Sequence, residues 1–290
     1  MSRGTQRLSI LAMPSSLPQE ILDLIVDRLH DEPTALKACS LVSKSWVSQT
    51  QKHLFSHLEF CEAGNIKRWM KNFSDPSNSP VRHARSLHLS LFAALFVGLD
   101  ARDLIRSFRH VVKLEVESDA RLDGAGGLSL LQFNGFSSTL RSIHLSRIVV
   151  PLPELLDLIC SFPLLEDVWL ECRIVRNNAH WNPPSTSPRL SGLLHLHDIS
   201  NSVARGLSSF PSGLRFSRVD VLYTDDDTKS TAELISKCVG TLESLSIGYF
   251  PYGASIRSLW LLDTLPYLQT QIHLRCRLHL ISPRPPTSRI

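Results

Sequence analysis

The chain has 290 residues, 43% of them hydrophobic, with a formal charge of +4; that apolar share can build a sizeable core and excludes global disorder. The whole positive surplus lies in the last nineteen residues, where Arg275, Arg277, Arg284 and Arg289 meet no acid, so the body carries no basic stripe of the kind a nucleic-acid binder presents. Six cysteines, none closer than twelve residues to the next, exclude a CxxC pair and a dense disulfide framework and read as buried free thiols of a reducing compartment, cytoplasmic or nuclear.

No apolar run approaches the ~18 residues of a membrane span. "LSILAM" (8–13) is shorter than a signal-peptide core. Neither nucleic acid nor membrane is therefore an expected partner, and residues 1–14 are expected to be a flexible N-terminus.

Taken in chain order, the first element is "LPQEILDLIVDRL" (17–29). Ser16 can cap it and Pro18 can sit in its first turn, where a missing N–H costs nothing. Ile21, Leu22, Ile25 and Leu29 then fall on one helical face, which Val26 broadens. Asp31, Glu32 and Pro33 end this helix, and Thr34 can cap a second one carrying Leu36, Cys39, Leu41 and Val42. Ser43 or Ser45 starts a third, which bears Trp46 and ends near Leu54 and Phe55. Three helices in about forty residues bury little surface alone, so the apolar stripe is broader than this module can hide.

These residues resemble the F-box family. Leu17, Pro18, Glu20, Ile21, Leu22, Ile25 and Leu29 match its Leu-Pro opening and first helix; "LVSKSW" (41–46) and "HLF" (53–55) match its later elements. The resemblance covers residues 15–57. It implies an adaptor for a cullin-type ubiquitin ligase, in which Leu17, Pro18, Ile21, Leu22 and Ile25 dock a Skp-type adaptor, with Val42 and Trp46 in support. The competing reading keeps these helices as an internal cap on the remainder of the chain.

From residue 58 a short apolar-x-apolar pattern recurs, with first positions 58, 87, 114, 143, 168, 194, 219, 245 and 272, at intervals of 25 to 29 residues. Helical spacing fills the stretches 65–73, 101–108, 153–162 and 230–239 between them. Strand, turn and helix in one steady period resembles the leucine-rich-repeat plan, where stacked neighbours bury what one unit cannot. The expected fold class is thus an α/β repeat: a three-helix F-box-like module, then an irregular leucine-rich-repeat solenoid over 58–281. The asparagine ladder of that family is missing; Phe92, Asp119, Ile148, Arg173, Ile199, Thr224, Phe250 and Arg277 stand at its turn positions. Backbone groups there need other partners.

Period-two alternation sends His88, Glu115, His144, Trp169, Glu171, His195, Asp220 and Ser246 to one strand face. The candidate substrate face centres on His144, Trp169, Glu171 and His195, with Trp169 as a hot spot. Equally, Trp169 packs beneath the long loop 177–189. His195, His197 and Asp198 invite a catalytic reading, but no nucleophile motif accompanies them. Asp225, Asp226 and Asp227 lack the glycine and distal glutamate of a calcium loop, and Cys276 with His279 lacks a second ligand pair for zinc. No metal, cofactor or enzyme activity is expected.

The stretch 271–281 alternates like an edge strand and leaves the last unit without a capping helix, as a truncated or mis-spliced end would. Residues 282–290 read as a disordered basic tail. The function expected is substrate recognition in a Skp–cullin–F-box type ubiquitin ligase, bridging the Skp-type adaptor and its cullin to an unknown protein substrate. The alternative is a repeat scaffold for protein interactions outside any ligase.

Overall fold

A computed structural model describes residues 17–75, 79–90, 105, 107–118, 133, 136, 138–175, 181–182, 189–197, 201–210, 213–223, 229–249 and 273–276. The chain divides into two units, Met1–Phe55 and Ser56–Ile290.

The first unit holds three helices, α1 (Gln19–Arg28), α2 (Pro33–Val42) and α3 (Lys44–Leu54). Pro18 stands just before α1 instead of within its first turn, and its carbonyl accepts from the N–H groups of Ile21 and Leu22 at 3.0 and 3.2 Å. Pro33 opens α2 at its first position, so Glu32, not Thr34, is the flanking residue; an absent N–H is harmless there. Ser43 caps α3, its Oγ accepting from the Ser45 N–H at 3.3 Å. Leu22, Val26 and Leu36 form the buried apolar set. Asp27 on α1 ties down α3 by accepting from Gln49 and from His53 Nε2, the latter at 2.6 Å.

In the second unit, nine strands among the described residues form one all-parallel sheet, ordered across it as they occur in the chain. They are β1 (His57–Phe60), β2 (Ser86–Ser90), β3 (Lys113–Glu117), β4 (Ser142–Pro151) and β5 (Asp167–Val175). β6 (Leu190–His197), β7 (Leu214–Tyr223), β8 (Ser244–Tyr249) and β9 (His273–Cys276) complete it. Helices alternate with them: α4 (Ala63–Asn72), α5 (Leu152–Cys160), α6 (Asn201–Ser208) and α7 (Lys229–Cys238).

Parallel strands need such crossovers, and the helices supply the apolar layer. Leu155, Leu156, Leu158 and Ile159 of α5, Val203, Ala204 and Leu207 of α6, and Leu234 and Ile235 of α7 are all buried. Against them lie two rows of strand residues. Leu87, Leu114, Ile143, Val168, Leu194 and Val219 share one register position, and Leu89, Val116, Leu145, Leu170, Leu196 and Val221 the next; every one is buried.

This sheet overturns the fold class expected from the sequence. In place of a three-helix F-box-like module followed by a leucine-rich-repeat solenoid, the structure has three N-terminal helices and a single continuous parallel sheet alternating with helices, an α/β layout. Two of the turns meant to close repeats fall inside strands. β4 and β5 run on through Ile148 and Arg173, because Ile148, Val150 and Cys172 find buried places and keep the chain paired. A bulge at Arg147, with φ of 55°, restores the alternation between Ser146 and Ile148.

Helix α6 had no counterpart in the periodicity, and the ninth strand pairs Leu274 with Leu245, two residues later than the pattern placed it. In place of an asparagine ladder, single carbonyls at the strand starts each accept two N–H groups from the next unit along the chain. Arg85 O takes those of Val112 and Lys113, Val112 O those of Arg141 and Ser142, and Arg141 O those of Glu166 and Asp167. The flexible N-terminus, the Ser16 cap, most of the helix at 101–108, the acidic triplet 225–227, the end at 277–281 and the basic tail lie outside the described residues.

Candidate functional site

Two surfaces carry the residues singled out in the sequence. On the N-terminal helices, Leu17, Pro18, Ile21, Ile25 and Val42 are exposed and Trp46 is half-buried. Leu22 is not a surface residue: with Val26 it turns into the helical core. The helical period separates the two sets, for positions 21, 24 and 25 centre about 110° around the axis from 22, 26 and 29. Leu24 and Leu41, at 60% and 87% exposure, are further exposed apolar residues of α1 and α2. Their i+3 relation to Ile21 and adjacency to Val42 were the signals for including them.

The second surface is the open face of the sheet. Along β2, β3, β4 and β5 buried residues alternate with half-exposed ones, so one face packs on the helices and the other bears polar side chains. Each strand pairs only its neighbours in the chain, so among the described residues there is no reversal of strand order and no crevice of the kind that binds ligands in doubly wound sheets.

Register lines Glu59, His88, Glu115, His144, Trp169, His195, Asp220 and Ser246 across the sheet in one row. Trp169 is the centre. His144 lies 4.9 Å from it on one neighbouring strand, while His195 and His197 each lie 4.7 Å away on the other, His195 nearly parallel to the indole. His144, Trp169, Glu171 and His195 are thus brought together. His197 belongs with them through ring contact, and Asp167 by lying two residues before Trp169 on the same strand.

Hydrogen bonds order the surround. Ser142 Oγ donates to Asp167 Oδ2 at 2.9 Å, and Ser146 Oγ donates to Glu171 Oε2 at 2.8 Å. His195 Nδ1 sits 3.0 Å from Asp220 Oδ2, and its Nε2 is 3.8 Å from Asp167 Oδ1, too far for a hydrogen bond. Asp167 Oδ1 and Trp169 Nε1 are buried without a hydrogen-bond partner. On the same face Lys113 Nζ meets Glu115 Oε1 at 2.6 Å, Arg218 meets Asp220 at 3.0 Å, and Arg147 pairs with Glu117.

Burial pushes the His144 and His197 imidazoles below their ordinary value, against opposing pulls from Glu115 on the first and Glu171 on the second. Burial works to raise the Glu115 carboxyl, but the hydrogen bond and charge of Lys113 prevail and hold it low. Near pH 7, then, Glu115 is a carboxylate and His144 and His197 are neutral imidazoles.

The serine hydroxyls are engaged by carboxylates and not by an imidazole base. Burial pushes the Cys160 thiol up to about 12 and the Cys238 thiol up to about 11, which removes both as thiolate nucleophiles. Among the described residues, no group of three or more metal-ligating side chains is placed to hold an ion. None of the described helices is long and apolar enough to cross a membrane.

Of the loop expected to cover Trp169, only Trp181, Asn182 and Arg189 are described. Trp181 packs on Phe210 at 5.3 Å and donates to Asp157 Oδ1 at 2.9 Å, and it is not among the ring partners of Trp169. No model of a known protein family matches this chain. Comparison with curated proteins likewise finds no similar sequence.

Proposed function

We propose that this chain is a non-enzymatic substrate-recognition subunit of a Skp–cullin–F-box type ubiquitin ligase, acting in the cytoplasm or nucleus. Its N-terminal helices dock a Skp-type adaptor, and through it a cullin, while the open face of the sheet takes a protein substrate. The observation that carries this reading is the apolar surface left open on the first unit. Leu17, Ile21, Leu24, Ile25, Leu41 and Val42 are 39% to 87% exposed, although Leu22, Val26 and Leu36 beside them are buried. So many large apolar side chains in one small module mark an interaction site. The F-box resemblance at Leu17, Pro18, Ile21, Ile25, Val42 and Trp46 supplies the kind of partner.

Co-purification of residues 1–290 with a Skp-type adaptor tests it, beside the double variant Leu17→Ala with Pro18→Ala. Capture by the native chain, lost in a variant whose circular dichroism is unchanged, is the expected result. A folded native chain that captures no adaptor overturns the reading and leaves an interaction scaffold outside any ligase.

A further inference from the structure

Strand β5 places two carboxylates, Asp167 and Glu171, without a lysine or arginine partner among the described residues on the open face. Lys113, Arg147 and Arg218 each pair with a carboxylate of their own, Glu115, Glu117 and Asp220. Asp167 and Glu171 have no lysine or arginine partner among the described residues and accept only from serine hydroxyls. Arg173, two residues beyond Glu171, is exposed and forms no ion pair with it. Burial keeps His144 and His197 from supplying the missing charge near pH 7, and His195, 3.8 Å from Asp167 Oδ1, makes its close contact with Asp220 at 3.0 Å instead.

Between these carboxylates lies Trp169, and both the Trp169 Nε1 donor and the Asp167 Oδ1 acceptor are buried without a partner. An unmet buried donor or acceptor carries its full desolvation cost, so a ligand that satisfies both recovers it. The spacing narrows the ligand further. Asp167 and Glu171 are four residues apart on one strand, about 13 Å at the usual rise. Two cations that far apart match an extended segment with basic residues at i and i+4.

We propose that β5 is the docking strand for an extended basic segment of the substrate, with one lysine or arginine on Asp167, a second on Glu171, and the residue between them over Trp169. This rests on the open face being the substrate surface. The backbone carbonyl of the middle residue takes the Trp169 Nε1 proton. Both orphaned atoms are buried, so a neighbouring side chain must move aside; His195 is the one in touch with both residues, its Nε2 3.8 Å from Asp167 Oδ1 and its ring stacked on Trp169.

The probe is a labelled peptide carrying two arginines four residues apart in a glycine–serine background. Its controls carry citrulline, which keeps the shape without the charge, or glutamate at the same two positions. Fluorescence anisotropy on the full chain is expected to show binding of the arginine peptide alone. Asp167→Asn and Glu171→Gln, near-isosteric changes, are each expected to weaken binding about tenfold, less than the loss at a fully buried charge pair because the Asp167 side chain is partly exposed and Glu171 is not fully buried. No binding of the arginine peptide, equal binding of the citrulline peptide, or unchanged affinity in the double variant overturns the proposal. The citrulline comparison uses only native protein and does not depend on any variant folding.

Adaptor capture on the same preparations separates the two readings. Capture without peptide binding removes the basic-segment proposal alone, whereas peptide binding without capture removes the ligase reading and leaves β5 as a docking strand.

Discussion

Neighbouring residues Ile25 and Val26 should respond oppositely to truncation, because the helical period sends one outward and one inward. Val26 has 0% exposure. Its truncation to alanine removes about two methylenes, worth roughly 0.8 kcal/mol each, and leaves a small cavity, for a total loss of about 2 kcal/mol. Ile25 is 39% exposed, and alanine regains a few tenths of a kcal/mol in helix propensity. Ile25→Ala should therefore change stability by less than about 0.5 kcal/mol, as is usual at surface positions.

If the N-terminal helices dock an adaptor as proposed, binding should reverse the order. Covering the exposed share of Ile25 amounts to roughly 0.9 kcal/mol, or about a fivefold change in affinity. The same arithmetic for Leu17 at 54% and Ile21 at 43% exposure brings the triple alanine variant to roughly 3 kcal/mol, or about two hundredfold. Urea denaturation followed by circular dichroism reads the first quantity, and titration calorimetry with a Skp-type adaptor reads the second. An Ile25→Ala variant as unstable as Val26→Ala would refute the assignment of faces. A triple variant that is stable and binds normally would refute the docking surface.

Three further outcomes are expected. Gly192 sits in the left-handed region, with φ of 86°, and a Cβ there would come within 2.1 Å of the Glu166 carbonyl oxygen; Gly192→Ala should cost at least about 2 kcal/mol in a denaturation curve, combining backbone strain with a displaced carbonyl. His53, and then Gln49, hold the Asp27 carboxyl below its usual range by hydrogen bonding, so this contribution to stability is complete above the ordinary carboxylate value and is lost as pH falls through the lowered one. An Asp27→Asn chain should show a flatter stability profile in acid. Burial lowers His144 and His197, so the sheet unit should lose stability as pH falls from about 6.5, the ordinary imidazole value, toward the lowered ones. His144→Gln with His197→Gln should remove that slope from melting temperatures measured between about pH 7 and 5.

Much of the sheet was legible because a strand's alternation is a local property. Leu87, Leu114, Ile143, Val168, Leu194, Val219 and Leu245 were each recognisable by position, and they share one register row. Strand ends were less legible. Ile148 and Arg173 look like turn residues in a repeat frame, but burial beyond them depends on contacts with residues distant in the chain. Helix α6 escaped notice because "NSVARGLS" carries few large apolar residues, and Val203, Ala204 and Leu207 become a core face only against the sheet.

By itself, the sequence determined the spacing of the strands, the three N-terminal helices and the pairing of histidine, tryptophan and carboxylate positions on one strand face. Each depends on a period of two or of 3.6 residues, which side-chain order alone imposes. Tertiary structure decided the fold class, turning an expected solenoid into one continuous parallel sheet. It also decided that Leu22 is core while Ile21 and Ile25 are surface, and that Asp167 and Trp169 hold buried atoms without partners. Those outcomes depend on which groups meet across the sheet and between helices, and on what they leave uncovered.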